Sequence, residues 1–168
     1  MALTSDILGS YRHPRVVLRR LIGDRREARI LVYLMLGCGL IFVAQWPRLA
    51  RAAHLDESVP LEALLAGALF AWVFVAPLVF YALAGLLSVI LRLAGPVDAF
   101  ALRLGLFWAV LASAPWLLLY GLAAGLIGPG TQSALLGLPA VISFVVVLVA
   151  GLRVTLERGV RATRDVRG

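Results

Sequence analysis

The strongest constraint on this chain is the stretch from Leu61 to Leu91, which carries no charge after Glu62. As an α-helix it would be about 46 Å long at about 1.5 Å per residue. The hydrocarbon core of a bilayer is only about 30 Å thick. A soluble domain cannot bury so long an apolar rod, so the stretch predicts a membrane protein. Pro77 is its one internal interruption and predicts a kink, because proline removes a backbone hydrogen bond.

Composition supports a membrane protein and narrows its partners. Hydrophobic residues make up 62% of the chain and the mean hydropathy is +0.96, well above ordinary globular composition. The net charge of +7 comes from 16 basic residues, all of them arginine. In so apolar a chain a basic excess indicates membrane topology and anionic lipid headgroups, and we expect no nucleic-acid partner. The single cysteine, Cys38, can form no internal disulfide and is interpreted as a packing residue.

The apolar segments predict a single all-α, polytopic membrane domain over residues 1–168. Polar turns divide it into four predicted transmembrane helices, at about residues 28–47, 61–91, 103–127 and 134–152, followed by a basic tail, 153–168. Splitting the long second span at Pro77 would give five crossings. Five crossings would also place 7 arginines on one side of the membrane and 9 on the other. They would require a hairpin at Pro77 that has no other turn residue. Four crossings are therefore favoured.

The segment 1–23 precedes the first span and differs from it. His13-Pro14 breaks the segment, Pro14 suits the first turn of a second helix, and Gly23 suits its end. An arginine-rich face opposite an aliphatic face predicts a cytoplasmic helix lying in the headgroup region. The alternative is a charged tail that only sets orientation. We hypothesise that lipid headgroups contact four arginines, which are Arg12, Arg15, Arg19 and Arg20.

The arginine distribution predicts the orientation of the four spans. One side of the membrane would receive 14 arginines, and the other only Arg48 and Arg51. The positive-inside rule then places both termini in the cytoplasm, with Arg92 and Arg103 at the membrane edge. The absence of lysine, together with the bias to Ala, Leu and Gly, suggests a GC-rich bacterial genome. We therefore expect a multi-pass protein of a bacterial inner membrane.

Catalytic and metal-binding patterns are missing from the sequence. No span interior holds Asp, Glu, Lys or His, the groups on which proton relays and ion-coupled sites depend. His13 and His54 would lie on opposite sides of the membrane and cannot share a metal. No nucleophile elbow or phosphate-binding glycine loop is present. We expect no enzymatic activity, no metal and no cofactor.

Small residues recur at helical spacing in two spans. Gly67 lies four residues from Ala63 and from Ala71, and Gly121 with Gly125 forms a G-x-x-x-G motif. Such motifs let helices approach closely in lipid. They predict packing within the chain or, alternatively, a seam between copies of it.

A few polar residues and a second internal proline mark the second and third spans. Tyr81 and Ser88 share one helical face with Arg92, and Tyr81 lies at a depth similar to that of Ser113, which would allow a hydrogen bond. Pro115 interrupts the third span as Pro77 interrupts the second. The pattern suits hydrogen bonding between helices, and it also suits the lining of a transport path.

Short strings resemble a known family. Residues 11–21, followed closely by the first span, are similar to the start of prokaryotic members of the Yip (Ypt-interacting protein) family. So is Leu91-Arg92-Leu93-Ala94-Gly95-Pro96 leading into residues 103–109, with Pro115 beyond. Eukaryotic relatives bind Rab-type GTPases and shape or traffic membranes. The resemblance implies a membrane scaffold, although the acidic-Leu-Tyr-Gly-Pro motif is missing and the family usually has five spans.

Together these features predict a non-catalytic protein. Its expected role is membrane organisation, or that of an accessory or assembly subunit of a membrane complex. The alternative is a small transporter or permease component. The expected partners are membrane lipids and either other membrane proteins or further copies of the chain.

Overall fold

The computed structural model describes residues 3–56, 58–128 and 130–165, and this part of the chain is helical with no strand. This confirms the all-α prediction. The helices are α1 (Leu3–Arg12), α2 (Pro14–Gly23), α3 (Glu27–Leu55), α4 (Leu61–Phe70), a π-helical segment (Ala71–Val75), α5 (Ala76–Ala94), α6 (Ala99–Leu126) and α7 (Thr131–Asp165).

Among the described residues, four helical rods are long and apolar enough to cross a membrane, which confirms the predicted number of spans. They cover Glu27–Leu55, Leu61–Leu93, Ala99–Leu126 and Thr131–Gly159. The protein is therefore a multi-pass helical membrane protein.

We call the end of the bundle with α1, α2 and the starts of α3 and α6 the arginine-rich end. The end where α3 and α6 finish and α4 and α7 begin is the opposite end.

Helix α6 lies at the centre of the bundle, between α3 and α7. All of its residues from Phe100 to Ala114 are buried except Arg103. A helix that is apolar on every face is suited to such a position, because it has no polar side to turn outward. The rod formed by α4 and α5 is peripheral. Only 17% of its most apolar stretch is buried within the protein, against 61% for α6.

A π-helical segment precedes Pro77, where the sequence predicts a kink. The backbone N–H of Ala76 donates to the carbonyl of Ala71, five residues earlier. Pro77 has no N–H for the carbonyl four residues before it, and its ring crowds that carbonyl. Widening the preceding turn accommodates both effects without breaking the rod.

Two helices extend beyond the predicted spans. Span one is predicted to end at about residue 47, and α3 continues through Pro47 to Leu55. The last span is predicted to end at about residue 152, and α7 continues through the basic tail to Asp165. Where these helices leave the membrane stays a prediction. An internal proline costs one hydrogen bond but does not oblige a helix to end. Helix α2 packs against α7, and Arg19 of α2 pairs with Glu157 within the predicted tail.

Two of the predicted small-residue positions lie at the α3–α6 contact. A Cβ atom added to Gly121 would collide with the carbonyl oxygen of Ala44, and one added to Gly125 would collide with Pro47. Gly67 differs, because a Cβ there would meet no atom within 4 Å. The packing within the chain that was predicted at Gly67 is therefore absent.

We predict that Gly121→Ala destabilises the protein by about 1–3 kcal/mol, because the backbone of α3 must move to admit the methyl group. The measurement is thermal unfolding in mild detergent. Gly67→Ala is the matched control, and we expect it to leave the midpoint unchanged or slightly raised. Equal midpoints for the two variants would contradict the close α3–α6 contact.

Candidate functional site

A polar junction joins α1 to the buried face of α6. The indole N–H of Trp108 donates to Ser10 Oγ at 2.8 Å, and the Ser10 hydroxyl donates to the Asp6 carbonyl at 2.7 Å. One residue on, the Tyr11 hydroxyl donates to the carbonyl of Ala112 at 2.6 Å. Trp108 and Ser10 are fully buried. Buried polar groups are costly unless paired, so these bonds fix α1 in one position on the bundle.

Helices α1 and α2 form a hairpin that packs on the bundle. The predicted break at His13 is present, and α2 begins at Pro14 and ends at Gly23 as the sequence indicated. The amphipathic helix predicted ahead of the first span is present, and its aliphatic face packs on the protein, where Val17, Leu18, Leu21 and Ile22 are buried. The hairpin is therefore docked on the protein through its apolar side chains.

The four arginines predicted to contact lipid fall into two pairs. Arg12 and Arg15 flank the turn of the hairpin and are exposed. Arg19 forms an ion pair of 2.6 Å with Glu157 on α7, and Arg20 forms one with Asp6 on α1. Exposed ion pairs of this kind contribute little stability, about 0–1 kcal/mol. Contact between lipid headgroups and Arg12 and Arg15 stays a prediction.

Further ion pairs connect the loops and helix starts at the arginine-rich end. Arg103, predicted to mark the membrane edge, pairs with Glu27 at 2.7 Å. Asp98 accepts bonds from the first backbone N–H groups of α6 and pairs with Arg25. Arg92, the other predicted edge residue, is exposed. Sequence reasoning found the arginines but missed their carboxylate partners, which are distant along the chain.

The residues that suggested a transport path do not form one polar cluster. The Ser113 hydroxyl is buried and donates to Val110 of its own helix at 2.8 Å. The Tyr81 ring packs edge-on against Phe107, with centroids 4.8 Å apart. Phe107 lies six positions before Ser113, about 9 Å along α6. The hydrogen bond between Tyr81 and Ser113 that was considered possible is therefore not formed.

The other predicted positions in these two rods are Ser88, Pro115 and Pro77. Ser88 is half-buried in α5. Pro115 lies inside α6, which stays one continuous helix from Ala99 to Leu126. Pro77 is buried beside the π-helical segment.

Burial and hydrogen bonding shift the pKa of Tyr11 and of Asp56, which lie outside the spans. Burial raises the pKa of the Tyr11 hydroxyl above its ordinary value, so it stays protonated and donates at neutral pH. Hydrogen bonds from the side chain and backbone of Ser58 lower the pKa of Asp56, which stays ionised at neutral pH.

The side chains that could support chemistry lie apart. His13 lies at the hairpin turn, two residues from Tyr11, and His54 lies near the end of α3. Cys38 is buried in the core. Within the described ranges, no three His, Cys, Asp or Glu residues come together in a group that could hold a metal ion.

Comparisons of the chain with protein-family models, with curated proteins and with solved structures find no match. The class of protein therefore follows from the fold alone, as a multi-pass helical membrane protein.

We predict that Ser10→Ala lowers the free energy of unfolding by about 1–3 kcal/mol, because it leaves the buried Trp108 N–H without an acceptor. Thermal unfolding in detergent, followed by tryptophan fluorescence, measures the change. Thr4→Ala is the control, since Thr4 is exposed on the same helix. A loss of equal size in both variants would contradict the role assigned to the polar junction.

Proposed function

We propose that this protein is a non-catalytic membrane component, acting in membrane organisation or as an accessory or assembly subunit of a larger membrane complex. The observation that carries the proposal is the close packing of the first half of α6. This half is buried between α3 and α7, and the hydroxyl of Ser113, midway along the helix, donates to the carbonyl of Val110 in the same helix. Between Arg103 and the end of α6 the sequence holds no ionisable Asp, Glu, His, Lys or Arg.

The docked hairpin supports the same proposal. Its interior contacts hold α1 and α2 in place, while Arg12 and Arg15 stay exposed at its turn. A basic surface held on a fixed support suits contact with anionic headgroups or with an acidic surface of another membrane protein. This arrangement presents charge without requiring a reaction.

A transporter would require the second and third rods to move and to line a water-filled path. Pro77 and Pro115 would act as hinges, and Tyr81, Ser88 and Ser113 would line a water-filled path. Two of these side chains are already engaged, Tyr81 with an aromatic ring and Ser113 with its own backbone. Coupling ions also need ionisable groups that these spans lack.

Cysteine accessibility separates the two functions. Single cysteines at Tyr81, Ser88 and Ser113, in a chain whose Cys38 is replaced by alanine, should resist a membrane-impermeant thiol reagent in intact membranes. Ser58→Cys, in the exposed connection before α4, is the control and should be labelled rapidly. Rapid labelling of all three test positions, with protection by a solute, would support the transporter instead.

We place the protein in a bacterial inner membrane with both termini in the cytoplasm, on the strength of the arginine asymmetry of 14 to 2. Alkaline phosphatase is active only in the periplasm. Fused after Ser58 it should be active, and fused after Gly168 it should be inactive. Activity at Gly168 would contradict the orientation.

The relation to the Yip family is part of this proposal. It rests on the strings around Arg12 and Arg103, and four rods are one fewer than that family usually has. A relation of this kind would favour the scaffold over the transporter.

A further inference from the structure

An apolar groove lies where all four spanning rods meet. Its volume is about 260 Å³. Its walls include Ile41 of α3, Trp72 of the π-helical segment, Leu117 of α6 and Val141 of α7. The groove exists because the second rod packs loosely while α6 is enclosed by its neighbours. Val141 is 60% exposed, so the groove opens sideways, toward the lipid that surrounds a spanning bundle.

Two further spaces follow this groove toward the opposite end of the bundle. A cavity of about 60 Å³ between α3 and α6 shares Ile41 and Leu117 with the groove. It also shares Arg48 and Tyr120 with a pocket of about 270 Å³ near the ends of these helices. The shared wall residues place the three spaces in a row along α3 and α6, which we call the path; it is apolar at mid-bundle and lined by arginine at its end.

Two guanidinium groups are held in position in that end pocket. Arg48 donates through Nε and Nη2 to Gln45 Oε1, at 3.1 and 2.8 Å. Arg51 donates through Nη1 to the carbonyls of Gly125 and Leu126, at 3.3 and 3.2 Å. Both anchors are neutral. Within the part of the chain that the structure describes, neither arginine forms an ion pair with a carboxylate.

We propose that this path is a binding site for one anionic phospholipid from the leaflet at the opposite end. The phosphate lies against Arg48 and Arg51, and one acyl chain follows α3 and α6 down to the apolar groove. Arginine recognises phosphate through charge-assisted hydrogen bonds. The inference goes beyond the proposed function and does not depend on it, because a scaffold or a transporter could hold such a lipid.

The length of the path fits one leaflet. From Arg51 to Ile41 is ten residues of α3, about 15 Å at 1.5 Å per residue. This is half of a hydrocarbon core about 30 Å thick. Arg51 also contacts the last carbonyls of α6, which places it where that helix leaves the apolar region. The two arginines of the pocket therefore lie at the depth of the lipid headgroups. The groove lies at the depth reached by the end of the acyl chain.

The chemistry of the path favours a lipid over a soluble anion. A free phosphate would use the two arginines and leave the groove empty. A phospholipid would fill the groove with an acyl chain, which adds van der Waals contacts with Trp72 and Leu117. The attraction between guanidinium and phosphate then selects anionic headgroups over zwitterionic ones.

Native mass spectrometry of the full-length protein, released from mild detergent, tests the site. The probes are phosphatidylglycerol, phosphatidylcholine with identical acyl chains, and inorganic phosphate. We expect one phosphatidylglycerol per chain to bind saturably, with weaker binding of phosphatidylcholine and none of phosphate. Arg48→Gln should weaken phosphatidylglycerol binding about tenfold, since it removes a charge-assisted hydrogen bond. Arg51→Gln is avoided because Arg51 also supports the end of α6.

Arg92→Gln is the matched control, because Arg92 is exposed at the arginine-rich end and its loss changes the charge equally. Val141→Trp tests the groove separately, since a bulky ring at its mouth should weaken lipid binding without touching the headgroup. Circular dichroism and gel filtration check that the variants fold. Equal binding of the two lipids, equal losses in Arg48→Gln and Arg92→Gln, or unchanged binding in Val141→Trp would each overturn the proposal.

Discussion

The structure depends on the close packing of α6 between α3 and α7. Within lipid, burying apolar side chains against one another gains little, so helices associate through van der Waals contact and a few hydrogen bonds. Gly121 and Gly125 admit α3, and Gly105 meets Gly151 of α7 so closely that an added Cβ would lie about 3 Å from the facing backbone. Because α6 is held on both sides, the other elements take their places around it.

Two consequences of this central helix bear on function. Trp108 and the carbonyl of Ala112, on the buried face of α6, form hydrogen bonds with α1. These bonds hold the N-terminal hairpin against the bundle. The second rod, whose regular helix is interrupted by the π-helical segment before Pro77, packs loosely and leaves a groove beside α6. A tightly packed centre and a loosely packed edge therefore occur in the same small bundle.

Part of the candidate site could be predicted from residues alone. The irregularity at Pro77 and the close approach at Gly121 follow from the backbone chemistry of proline and glycine. The ion pair of Arg19 with Glu157 joins residues 138 positions apart, and no local pattern indicates it. At Gly67 the spacing of small residues also suits packing, but a Cβ added there would meet no atom within 4 Å. Spacing alone therefore does not ensure that another helix lies opposite.

The sequence by itself determined the class of the protein, the number of spanning rods and the break at His13-Pro14. Length and apolarity decide these features, because a bilayer accepts only rods of sufficient length whose backbone bonds are internal. Only the tertiary structure decided which rod is central, that the apolar face of α2 packs on protein, and that Arg48 and Arg51 line one pocket. These features depend on shape complementarity between similarly apolar helices, which hydropathy does not encode.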